Sequence, residues 1–155
     1  MSARVKVEAA ALPHTDIIAA LHAACFEDPW TSESISGLLA TPGTAGWIAS
    51  LEGGGEGQEE PVGFLLVRAA AGEAEILSIG VVPAARGQRV ASRLIDAAVE
   101  QLQASALFLD VAADNRAALK LYEREGFEVV GRRQAYYKRA SGQQVDSLTM
   151  KRLLG

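Results

Sequence analysis

The run from Ile76 to Ile95 constrains this chain more than any other stretch. Residues 76–82 are rich in β-branched side chains and end at Pro83, which cannot continue a central strand. From Val90 onward the apolar period changes. Ala91, Leu94, Ile95, Ala98, Val99 and Leu102 recur at steps of three and four, which is one face of a helix. Between strand and helix lies Arg86-Gly-Gln-Arg89. A helix start presents unpaired backbone N–H groups and the positive end of its dipole, so it suits an anion. Gly87 lets backbone come close, and Arg86 and Arg89 add charge and forked donors. The stretch therefore reads as a seat for phosphate or pyrophosphate, against the plainer alternative of a β–α connection with solvated arginines. Two nucleotide-binding patterns are excluded, because the chain contains neither G-x-G-x-x-G nor G-x-x-x-x-G-K-[ST].

With 155 residues and 49% hydrophobic content, the chain is expected to form a single domain over 1–155 with a core of useful size. A net charge of −4 argues against a nucleic-acid surface. No run of eighteen apolar residues exists to span a membrane, and the N-terminus lacks a signal-peptide apolar core. A soluble, cytoplasmic protein is the expectation. The single Cys25 has no partner for an internal disulfide and sits in an apolar helical pattern, so it reads as a small buried hydrophobe rather than a nucleophile. His14 and His22 belong to no Cys/His cluster, so no metal site is expected.

In chain order, residues 5–9 form a short strand candidate, and Pro13 opens a helix with Ile17, Ile18, Leu21 and Cys25 on its apolar side. Residues 26–30 break it. Thr31 is placed to cap a second helix, with Trp30 and Ile35 at the spacing of a hydrophobic staple. Residues 47–51 read as a strand. The Gly-rich, acidic segment 53–60 is not followed by a helix and reads as a mobile hairpin loop rather than a phosphate loop. Residues 62–68 and 75–82 form an antiparallel hairpin about Ala71-Gly72. Residues 107–112 read as a buried strand carrying Asp110. A helix follows from Asp114-Asn115 to Glu125, with Gly126 at its C′ position and Phe127 closing the cap. Another strand begins at Val129, Tyr136-Tyr137 lies in the loop after it, and residues 145–153 form the last strand.

The turn resembles the [RQ]-x-x-G-x-[GA] signature of GNAT acetyltransferases, with Arg86 first, Ala91 last and Arg89 where the middle Gly stands in the family. Leu109-Asp-Val-Ala-Ala-Asp-Asn115 followed by Leu121-Tyr-Glu-Arg-Glu-Gly-Phe127 is similar to the second half of that signature, most of all in the RimI branch of ribosomal-protein-alanine N-acetyltransferases. Pro29-Trp30 and Arg132-Arg133 to Tyr136-Tyr137 extend the likeness over nearly the whole chain. The resemblance implies an α/β (α+β) fold: a mixed, mostly antiparallel seven-stranded sheet with four helices, strands four and five splayed around the pantetheine arm of acetyl-CoA. It implies an acetyl-CoA-dependent transfer to an N-terminal α-amine of a protein, a ribosomal protein among the candidates. The alternatives are a small-molecule or lysine N-acetyltransferase, or a non-catalytic acyl-CoA-binding module.

Acetyl transfer from a thioester to an amine needs a base for the amine, stabilisation of the carbonyl oxygen and an acid for the leaving thiolate. By the family pattern Tyr122 is the acid and Asp110 the base, with Glu75 on the neighbouring strand as rival. An acid in an apolar strand is expected to be desolvated, which suits a base. The plainer roles are a core aromatic for Tyr122 and an exposed charge for Glu75. The backbone of Ile79, Gly80 and Val81 polarises the carbonyl. Arg86, Gly87, Gln88, Arg89, Val90, Ala91 and Ser92 hold the pyrophosphate, and Arg89 either contacts a phosphate or points outward. Asn115 bonds the pantetheine arm or merely caps its helix. Trp30, Tyr136 and Tyr137 wall the acceptor, or serve as a staple and core edge. Glu27 and Asp28 beside Trp30 favour a basic residue near the start of the acceptor peptide.

Overall fold

In a computed structural model the structure describes residues 4–53 and 57–155. Seven strands form one sheet in the order β1-β2-β3-β4-β5-β7-β6, and four helices lie in the connections. The chain divides into two compact units, residues 1–69 with 77–102, and residues 70–76 with 103–155.

The first unit begins with β1 (Arg4–Ala10), which pairs antiparallel with β2 (Thr44–Glu52). A 3-10 turn at Leu12–His14, with Pro13 in its first positions, leads into α1 (Thr15–Cys25). Proline fixes φ where the missing N–H goes unused, so it starts the turn without loss. Ile18 and Leu21 are buried as expected, but Ile17 faces outward at 39% exposure. α2 (Ser32–Ala40) starts at the expected cap: Thr31 Oγ1 accepts the Ser34 N–H at 3.1 Å. Trp30 does not serve as a staple buried on Ile35; it is 37% exposed and stacks on His22. β2 and β3 (Glu59–Ala70) are antiparallel, and the Gly53 N–H donates to the Gln58 carbonyl at 2.7 Å. The connection is therefore a hairpin with no helix after it; the middle of the loop read from sequence, residues 54–56, lies outside the described residues. Ile18, Leu21, Ile35, Ile48, Phe64 and Leu66 form one core. Each fully buried side chain of this size contributes about 1.5–3 kcal/mol.

β3 turns into β4 (Glu73–Val81) through Ala71 (φ 54°) and Gly72 (φ 81°). Two successive left-handed residues make the hairpin turn whose twist matches that of the strands. After β4 comes a second 3-10 turn at Pro83–Ala85 and then α3 (Val90–Gln101), which buries Val90, Leu94, Ile95 and Ala98. Gly63 of β3 leaves room for this helix: a Cβ there would meet Val90 Cγ1 at 3.1 Å and Leu94 Cδ1 at 3.3 Å.

In the second unit the start of β4 pairs in parallel with β5 (Ala106–Ala112), and the registered pairs are Glu73–Glu75 with Ala106–Phe108. α4 (Arg116–Arg124) follows, then β6 (Glu128–Lys138) and β7 (Gln144–Leu153), with β7 antiparallel to both β5 and β6. Two expectations need correction. The β5 strand is not buried on both faces: Leu107, Leu109 and Val111 point inward, while Asp110 has the opposite parity and is exposed. Tyr136 and Tyr137 lie within β6 rather than in a loop. The strand carries a bulge between Arg133 and Tyr137, with Ala135 at φ 50°. Asp146 pins that bulge, its Oδ1 accepting the Ala135 N–H at 2.8 Å and its Oδ2 accepting Arg132 Nε at 2.7 Å. These two donors hold the Asp146 carboxyl below its ordinary value, the Ala135 N–H contributing most.

Candidate active site

The residues expected to hold the cofactor lie in the first unit, from the end of β4 into α3. The Val82 N–H bonds the Val62 carbonyl at 2.8 Å, which anchors the strand end before Pro83 stops it. Arg86 folds back, its Nε donating to the Val81 carbonyl at 3.1 Å. Gly87 takes φ 84° and Arg89 takes φ 61°, ψ 25°. Arg89 thus keeps the left-handed conformation that glycine adopts most easily, although it carries a side chain. A side chain stands on a left-handed backbone at the position where the family signature has Gly.

α3 then starts without a side-chain cap, and its first intrahelical bond runs from the Arg93 N–H to the Arg89 carbonyl at 3.1 Å. The N–H groups of Val90, Ala91 and Ser92 precede that bond and have no acceptor within the helix. Uncapped donors at the positive end of a helix fit an anion such as a pyrophosphate. The side chains of residues 86–89 are exposed, while Val90 is buried in the core.

Upstream, Ile79, Gly80 and Val81 are half-buried. Gly80 is required by packing. A Cβ there would lie 2.8 Å from Phe64 Cε1 and 3.0 Å from Cys25 Sγ. Burial pushes the Cys25 thiol up and Arg86 opposes this weakly, so Cys25 acts as a packing residue, as its sequence context implied.

The candidate acid and bases lie in the second unit. α4 ends in a Schellman motif: Phe127 N–H bonds the Tyr122 carbonyl at 2.9 Å, and Gly126 N–H, from φ 91°, bonds the Glu123 carbonyl at 3.1 Å. The hydrophobic contact that accompanies such a cap is here the edge of Phe127 against Tyr122, centroids 5.8 Å apart. The helix end thereby fixes the Tyr122 ring, which is 8% exposed. Burial pushes its phenol up to about 12, with Tyr137 adding to the push. Burial also raises Tyr137; the neighbouring Ser147 hydroxyl opposes this, and the Asp110 carboxylate adds to it.

Asp110, Tyr137 and Tyr122 are therefore within electrostatic reach of one another in succession. Asp110 Oδ1 accepts the Thr149 hydroxyl at 2.8 Å across the β5–β7 pair. Asp110 is exposed, not desolvated as its apolar strand led one to expect. Glu75 is exposed and registered opposite Phe108. Asn115 is exposed and its Oδ1 accepts the Ala118 N–H at 3.2 Å, so its capping role is formed. Tyr136 is exposed, packs edge-on to Tyr137 at 5.1 Å and carries the Arg133 guanidinium over its ring at 4.9 Å.

The sequence missed Thr149 and Ser147. Their shared parity on β7, beside a strand carrying an acid, was the available signal. No helix among the described residues is long and apolar enough to cross a membrane, and no cluster of metal-ligating side chains is present among them.

Residues 15–127 match the model of the acetyltransferase (GNAT) family. The chain belongs to this family. It is accordingly an N-acetyltransferase by descent, and its fold agrees. It is 35% identical over 130 residues to the N-alpha-acetyltransferase RimI of Mycobacterium tuberculosis, covering 81% of this chain and 77% of that protein. The ribosomal-protein-S18-alanine N-acetyltransferase from Escherichia coli superposes with a TM-score of 0.85 at 20% identity, over 98% of this chain and 95% of the other. Arabidopsis thaliana NAA60, solved in complex with acetyl-CoA, superposes with a TM-score of 0.82 at 21% identity, over 97% and 98%.

Proposed function

We propose that this enzyme, as a single domain over residues 1–155 acting in the cytoplasm, transfers acetyl from acetyl-CoA to the α-amine at a protein N-terminus, with a ribosomal protein as the acceptor class. The observation that carries acetyl transfer is the presence, in one chain, of an uncapped left-handed helix entry at Gly87–Arg89 and the succession Asp110, Tyr137, Tyr122. The α-amine is favoured by the name of the mycobacterial relative, and the ribosomal acceptor by that of the Escherichia coli neighbour.

The amine nitrogen attacks the thioester carbonyl; an N–C bond forms, a C–S bond breaks, one proton leaves the amine and one reaches the thiolate. Asp110, oriented by Thr149, takes the amine proton directly or through a water. The N–H groups of Val90 to Ser92 hold the pyrophosphate, and backbone N–H groups within Ile79–Val81, past the last registered β4–β5 pair, face the developing oxyanion. Tyr122 is protonated at neutral pH, as any phenol is, and burial, by raising it to about 12, keeps it so well above neutrality. A phenol that holds its proton so firmly stabilises the leaving thiolate first by donating a hydrogen bond, and transfers its proton late. Asn115 keeps its cap while its amide group turns to the pantetheine arm.

The test is thiol release by the purified enzyme with acetyl-CoA. Peptides with free N-termini are set against N-terminally blocked lysine peptides and small amines. Release with free N-termini is expected. Release with small amines alone assigns a different acceptor, and binding of acetyl-CoA without any release leaves a non-catalytic module.

A further inference from the structure

His22 belongs to neither the cofactor turn nor the acid–base cluster, yet it is 2% exposed in the last turn of α1. A buried histidine needs a partner, and this residue organises the chain beyond the helix with two acceptors. Its carbonyl accepts the Phe26 N–H at 3.0 Å, and its Nδ1 accepts the Trp30 N–H at 3.1 Å. Its ring stacks with Phe26 at 4.4 Å and 27°, and with Trp30 at 4.8 Å and 21°; Phe64 tilts against it at 5.5 Å. Phe26 and Trp30 each remain more than one third exposed, so their outer surfaces are available. A single side chain thus sets both the backbone path and the ring orientation of residues 26–30.

We propose that His22 is a positioning residue for the acceptor peptide: it holds Phe26 and Trp30 as a pre-formed aromatic wall through its Nδ1 bond to the Trp30 N–H and its ring stacks. The inference rests on the peptide-acceptor reading above. A wall already ordered before binding spares the peptide the ordering of that segment, so its loss raises the peptide KM and leaves the turnover rate at saturation alone.

Nδ1 can accept only while the imidazole is neutral with its proton on Nε2. Burial keeps it so by lowering its pKa from the ordinary value, and burial is the one cause acting on it. The ring faces meet Phe26, Trp30 and Phe64, none of them charged; Glu27 and Asp28 of the same segment are exposed, and Arg86 acts on neighbouring Cys25.

His22→Phe keeps a stacking ring and deletes the acceptor, while His22→Asn restores an acceptor near the Nδ1 position and deletes the ring. Two readouts are taken on each full-length protein: hydrogen exchange at the Trp30 amide by NMR, and steady-state kinetics with an N-terminal peptide. His22→Phe is expected to lose protection of the Trp30 amide. Its peptide KM rises about tenfold, the effect of one unsatisfied part-buried donor, while kcat and the acetyl-CoA KM hold. His22→Asn regains protection and part of the KM. Full protection of Trp30 in His22→Phe, an unchanged peptide KM despite lost protection, or kcat and acetyl-CoA KM changing alongside the peptide KM would each overturn the proposal. If the wild type shows the protected amide but acetylates no peptide, the acceptor reading itself has failed and this role falls with it.

Discussion

Arg89→Gly is expected to stabilise the protein. Arg89 sits at φ 61°, ψ 25° at the entry to α3, in the left-handed region. A residue with a Cβ is disfavoured there by about 1–2 kcal/mol, while glycine gives up to about 1 kcal/mol more backbone freedom on folding. The difference leaves the variant about 0.5–1 kcal/mol more stable, a rise of about 1–4 °C in Tm for a chain of this size. Gly87→Ala supplies the opposite control. Nothing lies within 4 Å of a Cβ at Gly87, so its φ of 84° is the sole source of strain. The same two terms with opposite sign should make that variant about 0.5–1 kcal/mol less stable. Scanning calorimetry on the three proteins reads both signs. A less stable Arg89→Gly, or a neutral Gly87→Ala, refutes the view that this turn is held in the glycine conformation. Isothermal titration with acetyl-CoA on the same proteins reads the side chain. Binding should hold in Arg89→Gly, because the backbone N–H groups form the seat. A loss of about 1.5–3 kcal/mol would mean that the guanidinium contacts a phosphate.

Tyr122→Phe should lower turnover by about 10²–10⁴-fold, the usual worth of a positioned acid, with little change in acetyl-CoA binding. Tyr122 also ties stability to pH. Its folded-state value of about 12 lies above the ordinary 10, so its contribution is intact below pH 10 and lost as pH rises toward 12. The loss amounts to about 3 kcal/mol, and denaturant titrations from pH 9 to 12 should show a steeper decline in wild type than in Tyr122→Phe. Gly80→Ala forces a methyl group against Phe64 and Cys25 and should cost about 1–3 kcal/mol by urea unfolding; an unchanged midpoint would contradict the packing. Asp110→Asn should reduce kcat more than Glu75→Gln, and Thr149→Val should fall between wild type and Asp110→Asn; full activity of Asp110→Asn across pH would pass the role of base to Glu75.

What the sequence disclosed followed from rules local in the chain. The Pro83 stop, the Thr31 cap and the Gly126–Phe127 closure of α4 each depend on residues within one turn of each other, and each formed. The errors came from what local pattern does not carry. The apolar run around Asp110 hid a parity in which that one residue faces out. Tyr136 and Tyr137 fell into a loop on paper because the bulge before them rests on Ala135 at positive φ, held by Asp146 eleven residues away. Ile17 and Ile18 are both apolar, but the buried stripe of α1 runs through Ile18, Leu21 and His22 and leaves Ile17 at its edge. The sequence shows His22 only as a histidine that belongs to no metal-binding cluster. Its actual partner is a backbone N–H, which no side-chain motif records.

The most direct measurement locates the acetyl group itself. Purified enzyme is incubated with acetyl-CoA and a peptide bearing a small free N-terminal residue, a basic second residue and an internal lysine, and the product is fragmented by tandem mass spectrometry. The acetyl group should lie on the N-terminal α-amine, and Tyr137→Ala should slow its appearance. Acetyl found on the lysine alone, or equal rates for Tyr137→Ala and wild type, would contradict the assignment of the acceptor site.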